Sequence, residues 1–297
     1  MADPILSVIV CSYNGQDLLP TCLGALSNQT IDKSLYEVIV VDNNSTDSTG
    51  RVSEEIAKKN INFKVVNEPQ IGLSYARNRG WQEAKGVYVA YIDDDAKAVC
   101  DWCENIISAF KTVNPQPVAV GGEILPWYES QPPDWFTDDF EIRSWGRKPK
   151  FLKNQYGFSG SNMAFLKDVL AKFDGFSSDF GMVGDGIRLG EEADLFYRIY
   201  SEKPYLWYDP KIRVYHWVSL RNMSVRYRLW RSYKVGVSSV LLRGRKVFSL
   251  DYLKKWGYFF LLLLKAPYIL LKDRNKRSMV VTFCELAKRL GYLIGRK

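Results

Sequence analysis

One histidine and five cysteines stand among the 297 residues of this chain, and each scarcity removes a class of chemistry. Cys11, Cys22, Cys100, Cys103 and Cys284 form no disulfide framework, which suits a reducing cytosol. Cys100-Asp101-Trp102-Cys103 has CxxC spacing, but no second Cys or His pair accompanies it. Two small apolar residues on one helix face is therefore the expected reading. Met1-Ala2-Asp3-Pro4 runs into the first strand without a basic n-region, so no signal peptide is expected. No apolar run reaches the roughly 20 residues that a spanning helix needs. Glycine signatures are missing too. A dinucleotide-binding domain shows GxGxxG after its first strand, where this chain has Cys11-Ser-Tyr-Asn-Gly-Gln, and GxxxxGK[ST] occurs nowhere. A phosphate ligand would then have to be met by a metal and by side chains.

What the chain does have is organised around Tyr91-Ile92-Asp93-Asp94-Asp95-Ala96. The apolar run Val87–Ile92 reads as a buried parallel strand, and it empties into three consecutive carboxylates. Like charges this close repel unless a cation sits between them. The natural occupant is a hard divalent ion, Mn²⁺ or Mg²⁺, held by oxygen ligands and shared with substrate phosphates.

Earlier in the chain, strand patterns alternate with helical ones. Ile5–Val10 is a continuous apolar strand ended by the turn Ser12-Tyr13-Asn14-Gly15. Asp17–Ser27 has helical spacing through Leu18, Leu19, Cys22, Leu23 and Leu26. A second strand, Glu37–Val41, runs into Asp42-Asn-Asn-Ser-Thr-Asp47, with Ser45 or Thr46 expected to cap a helix reaching Lys59. Phe63–Val66 is a third strand, and Gly72 opens a helix that carries Arg77, Asn78 and Arg79 on its early turns. Such alternation predicts an α/β fold with a doubly wound, mostly parallel sheet. Ligands bind such sheets outside the carboxyl ends of the strands, where all three polar turns lie.

Four segments together resemble, in order, the signatures of family-two inverting glycosyltransferases with the GT-A fold. They are Ser7-Val-Ile-Val-Cys-Ser-Tyr-Asn, Val40-Val-Asp-Asn-Asn-Ser-Thr-Asp, Gly72-Leu-Ser-Tyr-Ala-Arg-Asn-Arg-Gly and Tyr91-Ile-Asp-Asp-Asp-Ala, and the likeness covers about residues 4–240. The resemblance implies a nucleotide-sugar donor, a UDP-sugar by family frequency, a divalent cation and inversion at the anomeric carbon. On matching positions it implies that Cys11, Ser12, Tyr13 and Asn14 contact base and ribose and that Asp42 accepts a hydrogen bond from the base. Arg77 would approach the diphosphate. Asp93 and Asp94 would hold ribose and sugar, with Asp93 also near the metal and Asp95 its principal ligand. The acids Glu191-Glu192 stand where the family commonly has Glu-Asp, whose second member is the catalytic base; here that member is Glu192. The fold also often supplies a histidine from the region of His216 as a further ligand, and imidazole suits Mn²⁺ better than Mg²⁺.

The second half reads as the acceptor side. Glu123–Gly157 is rich in Trp, Tyr and Pro, including Trp135, whose rings can stack on sugars or cover a core. Gly157-Phe-Ser-Gly160-Ser161-Asn162 looks like the family's small-residue turn beneath the donor sugar, where backbone approaches ligand closely. A carboxylate at position 192 is ionised at neutral pH and can accept a hydroxyl proton without tuning. At position 191, helix-start electrostatics suffice to explain an acid.

Net charge divides the chain. From Ser219 onward 19 Lys or Arg face three acids, a balance of +16, whereas the first 218 residues carry −8. A basic helix over Ser224–Leu242 precedes an apolar, aromatic one over Leu250–Leu271, flanked by Lys254, Lys255, Lys272 and Arg274. That pattern favours an anionic membrane surface as partner; packing on the catalytic domain or on a second subunit, as a homo-oligomer, is the alternative. The expected organisation is a catalytic domain over 1–222, with a nucleotide-sugar half over 1–122 and an acceptor half over 123–222, then a basic helical tail over 223–297. The expected function is transfer of a sugar to a glycan acceptor, lipid-linked, at the inner face of the cell membrane. A sugar nucleotidyltransferase should carry a Gly-rich basic loop after the first strand, and none is present. A nucleic-acid-binding protein should interleave its aromatics with its charges, whereas here the charges flank an apolar block.

Overall fold

The computed structural model describes residues 3–153, 157–182, 190–243, 250–273 and 275–294. Strands β1 (Leu6–Ser12), β2 (Tyr36–Asp42), β3 (Phe63–Asn67) and β4 (Tyr88–Asp93) alternate with helices α1 (Leu19–Ser27), α2 (Thr49–Ala57) and α3 (Leu73–Glu83). Then come β5 (Ala96–Ala98), α4 (Trp102–Thr112), β6 (Ala119–Gly121), β7 (Ile124–Tyr128), β8 (Lys150–Phe151), β9 (Met163–Leu166) and α5 (Lys167–Lys172). The chain ends with α6 (Glu191–Glu202), β10 (Leu206–Tyr208), β11 (Val214–Val218), α7 (Val225–Arg243), α8 (Leu250–Asp273) and α9 (Lys276–Ile294).

Eight strands form one sheet in the order β3-β2-β1-β4-β9-β6-β10-β8. Its first four are parallel, and β9 runs antiparallel between β4 and β6. The near-continuous apolar strands are buried on both faces, as parallel strands must be. Alternate residues divide between two cores. Val8, Val10, Val38, Val40, Ala90 and Ile92 meet α1 and α4 on one side. Ile9, Ile39, Val41, Val89 and Tyr91 pack with Ala76, Leu170 and Phe196 on the other.

Register carries the functional consequence. Cys11 lies level with Val41 and Asp93, and Ser12 with Asp42, so the polar ends of β1, β2 and β4 share one edge. A second, three-stranded sheet has the order β5-β11-β7. Its antiparallel β5–β11 pairing sets His216 opposite Ala96, immediately after the triple Asp.

Two local expectations need correction. The second helix begins at Thr49, and Ser48 at its N-cap makes no side-chain cap bond. Ser45 and Thr46 are engaged elsewhere: Asn14 donates its N–H to Ser45 Oγ at 3.0 Å, and the Thr46 N–H donates to Asn14 Oδ1 at 2.8 Å. Those bonds fasten the β1 turn to the β2 turn, a non-local demand that outweighs capping. In the CxxC segment, Cys103 is buried in α4 while Cys100 is exposed ahead of it. The two do not share a helix face.

The chain divides into two compact units. One contains the described residues of 1–127, 141–186 and 191–217, the other those of 128–140, 187–190 and 218–297. The basic tail expected to start at 223 thus draws in residues 128–140. Trp135 and Phe136 need apolar cover, and they pack with Val218, Met223 and Val280. The Arg228 guanidinium lies over the Phe136 ring at 4.8 Å, and Arg277 pairs with Asp139 at 2.6 Å. In this unit α7 crosses α9 closely. A Cβ on Gly236 would lie 2.0 Å from the Lys288 carbonyl, and one on Gly291 2.1 Å from that of Tyr233. No described helix is long and apolar enough to cross a membrane. Arg274, among the expected basic flanks, lies outside the described residues.

Candidate functional site

The three aspartates diverge. Asp94 turns toward the β1 turn, where Ser12 Oγ donates to its Oδ2, and a Cβ on Gly15 would collide with that oxygen at 2.2 Å. Burial, then the neighbouring Asp95, pushes the Asp94 carboxyl up to about 7. Asp93 and Asp95 turn instead toward His216, whose Nε2 lies 3.8 Å from Asp93 Oδ2 and 3.3 Å from Asp95 Oδ1. Each of the three residues offers one ligand atom, and those atoms all lie within 4.8 Å of one another.

The histidine tautomer follows from its other nitrogen. His216 Nδ1 is 3.1 Å from the Trp217 carbonyl oxygen, which can only accept, so the proton sits on Nδ1. In the neutral ring Nε2 then presents a lone pair to the carboxylates, the arrangement a metal-ligating histidine needs. Asp95 Oδ1 is buried and has no hydrogen-bond partner. Burial raises the Asp95 carboxyl above its usual range, and His216 opposes that rise. The orphaned carboxylate oxygen faces the imidazole, and the donor set of two carboxylates and one imidazole fits a divalent ion.

Arg77 holds the opposite side of Asp93. Its side chain is 3% exposed, with Nη1 on Glu191 Oε1 at 2.8 Å and Nη2 3.6 Å from Asp93 Oδ1. The Phe176 ring lies under the guanidinium at 5.4 Å, and the hydroxyl of Tyr91 donates to the Arg77 carbonyl at 3.2 Å. The resemblance implied that Arg77 approaches a diphosphate; in this structure its guanidinium pairs with Glu191 and lies beside Asp93. A guanidinium this deeply buried and doubly paired is a clamp between α6 and the end of β4.

Glu191 is correspondingly buried. Burial, then Glu192, pushes its carboxyl up to about 8, while Arg77 pulls it down. Helix-start electrostatics do not account for a carboxylate in this pairing. Glu192 is only half buried, and its Oε1 accepts the Gly160 N–H at 3.1 Å. Gly160 is obligatory, because a Cβ there would stand 2.0 Å from Arg77 Nη2 and 3.1 Å from Glu192 Oε1. Next to it, Ser161 Oγ donates to Asp93 Oδ2 at 2.7 Å. The Gly160-Ser161 turn therefore touches both the acid pair and the triple Asp.

The remaining expected residues fare variously. Asp42 accepts the Ser45 N–H on Oδ1 at 3.1 Å, and a Cβ at position 50 would stand 2.8 Å from its Oδ2. Cys11 is part-buried in the strand, and burial pushes its thiol up to about 12, so it presents no thiolate. Tyr13 is half-buried at the β1 turn, and the Asn14 side chain is occupied by Thr46. Asn162 is held by three hydrogen bonds within the fold. It accepts from Trp102 Nε1 at 2.9 Å and donates to the carbonyls of Glu123 and Ile212 at 3.0 and 2.7 Å. Trp135 is buried in the aromatic cluster of the second unit, so its ring is covered by protein. Sequence reasoning missed Asn43. Its Nδ2 donates to the Glu68 and Gln70 carbonyls at 3.1 and 2.7 Å and its Oδ1 accepts the Gly72 N–H at 2.8 Å, fixing the start of α3 and hence Arg77. An Asn buried after a strand was the available signal.

Comparison with known proteins identifies the family and the fold. The family model described as Glycosyl transferase family 2 matches residues 7–173. The glucosyl-dolichyl phosphate glucuronosyltransferase of Haloferax volcanii is 30% identical over 242 residues, 78% of this chain and 75% of that protein. Among solved structures, the mannosyltransferase PcManGT from Pyrobaculum calidifontis, in complex with GDP-Man and Mn²⁺, superposes with a TM-score of 0.64. It has 19% identity over 100% of this chain and 89% of that one. S. aureus TarS 1-349 in complex with UDP superposes at 0.55, with 16% identity over 97% of this chain and 88% of that one. This chain belongs to glycosyl transferase family 2 and has the GT-A fold; it is an inverting glycosyltransferase.

Proposed function

We propose that the protein moves a sugar from a UDP-sugar donor to a hydroxyl of a lipid-linked glycan acceptor, with a divalent cation, in the synthesis of a cell-surface polysaccharide or glycoconjugate. One observation carries the metal dependence: the buried Asp95 Oδ1 without a hydrogen-bond partner, facing an imidazole whose proton is committed to the Trp217 carbonyl. Asp95, Asp93 and His216 would hold the cation, which supplies positive charge to the leaving diphosphate when bound. Mn²⁺ suits the imidazole better than Mg²⁺. The Haloferax relative is named for a dolichyl-phosphate-linked glucose, which supports a lipid-linked acceptor.

The protein's own residues divide the remaining work. The β1 turn and Asp42 line the shared strand edge where base and ribose would lie. Glu192, half buried, takes the proton of the attacking hydroxyl. Glu191 and Arg77 keep that carboxylate in place, since α6 is tied through them to the end of β4. The Gly160-Ser161 turn brings backbone close to the reacting sugar. A screen of nucleotide sugars, scored by nucleotide release with and without Mn²⁺, tests the proposal. It predicts metal-stimulated release from a UDP-sugar; release from no donor, or equal release in a chelator, would refute it.

A further inference from the structure

Helix α8 turns one side to α9 and leaves the opposite side apolar. Towards α9, the Tyr252 hydroxyl donates to the Leu293 carbonyl at 3.0 Å. Lys255 Nζ reaches the Tyr292 hydroxyl at 2.8 Å and lies over that ring at 4.1 Å, and Ala266 is buried. These residues follow one another at helical spacing and mark the inner face. A surface helix ordinarily turns charge outward from such a face.

This one does not. Leu250, Leu253, Phe260, Leu261, Leu264 and Tyr268 repeat at steps of three, four and seven along the opposite face, between 46% (Leu261) and 78% (Leu264) exposed. Gly257 lies on the same line, with nothing within 4 Å of where its Cβ would be. The stripe spans Leu250 to Tyr268, about 27 Å at the α-helical rise. Lys254 and Lys265, both exposed, sit together along one flank of it. An exposed apolar strip of this length, edged by cations, marks an interaction surface.

We infer that this face of α8 lies in the plane of an anionic lipid surface, with the leucines and Phe260 among the acyl chains and Lys254 and Lys265 at the phosphate level. Charge selects this occupant over a second copy. Residues 219–297 carry 19 basic and three acidic residues, so two such tails brought together would repel, whereas anionic headgroups supply the countercharge. No described helix is long and apolar enough to cross the bilayer, which leaves in-plane insertion. Tyr258 and Tyr268 have the amphipathic ring that favours the interface.

This deepens the lipid-facing part of the proposed function, and its test uses neither donor nor acceptor, so the two can fail separately. The full chain is mixed with vesicles of phosphatidylcholine alone or with about 30% phosphatidylglycerol, a content that gives the anionic surface potential required. The comparison is with the triple variant Leu253→Ser, Leu261→Ser, Leu264→Ser, which touches only exposed side chains. The expected result is co-sedimentation of the parent with anionic vesicles and a loss on the order of 100-fold in the variant, with unchanged circular dichroism and melting temperature. A second variant, Lys254→Glu with Lys265→Glu, should lose anionic-vesicle binding and stay folded. Equal binding by parent and triple variant would overturn the inference. So would absence of parent binding, or a parent dimer that the triple variant breaks.

Discussion

Glu192 and Glu191 are sequence neighbours with opposite environments, and that difference assigns their work. Glu192→Gln keeps the acceptor for the Gly160 N–H but removes the proton acceptor for the incoming hydroxyl. Its kcat should fall on the order of 10²–10⁴-fold, with donor Kd within a few-fold of the parent. Glu191→Gln weakens the buried pair with Arg77, so its main losses should be in melting temperature and, more mildly, in kcat. Titration calorimetry with donor, beside initial rates, separates these outcomes, and a severe kcat loss confined to Glu191→Gln would exchange the roles. Arg77→Lys keeps the charge but has no fork to span Glu191 and Asp93. It should lower kcat on the order of 10²-fold with little change in donor KM, because a displaced base costs rate before it costs binding. It should also be non-additive with Glu191→Gln, since both changes break the same pair. A pure KM effect would place Arg77 at the diphosphate after all.

At the scale of elements, α9 is structural and α8 presents the unusual face. Val280, Leu286 and Leu293 of α9 are buried, each worth about 1.5–3 kcal/mol of burial. Deleting Leu250–Lys297 should therefore lower the melting temperature sharply, whereas the serine substitutions on α8 should not, as differential scanning calorimetry can check. Equal melting temperatures for the deletion and the parent would show that α9 is dispensable to its unit. The elements themselves were largely legible. Apolar runs such as Val38–Val41 and the triple Asp at the end of β4 specify strands and a strand-end site without any partner being known. What tertiary pairing decided was not legible. Ser45 and Thr46 read as caps until Asn14, 31 and 32 residues away, claims them. Arg77 reads as a phosphate ligand until Glu191, 114 residues on, buries it. Trp135 reads as a sugar platform until Val280 covers it.

Across the whole molecule, charge and chemistry are divided along the chain. The first 218 residues carry −8 and hold every residue of the candidate site, while Trp135, also among them, packs in the second unit. The tail carries +16. Its attraction to anionic vesicles should weaken more than ten-fold from 0.05 to about 0.5 M salt, as screening shortens from beyond 10 Å to a few ångströms, and a residue of binding should persist through the α8 stripe. Salt-independent binding would assign the contact to apolar burial alone. The site can be judged independently of the tail. Donor binding and nucleotide release by Asp95→Ala, measured with Mn²⁺ and with chelator against the parent, test the central claim most directly. The parent should bind donor and release nucleotide only with metal, and Asp95→Ala should lose both the metal response and turnover while its melting temperature without metal does not fall. Metal-stimulated turnover in Asp95→Ala at the parent's level would contradict it.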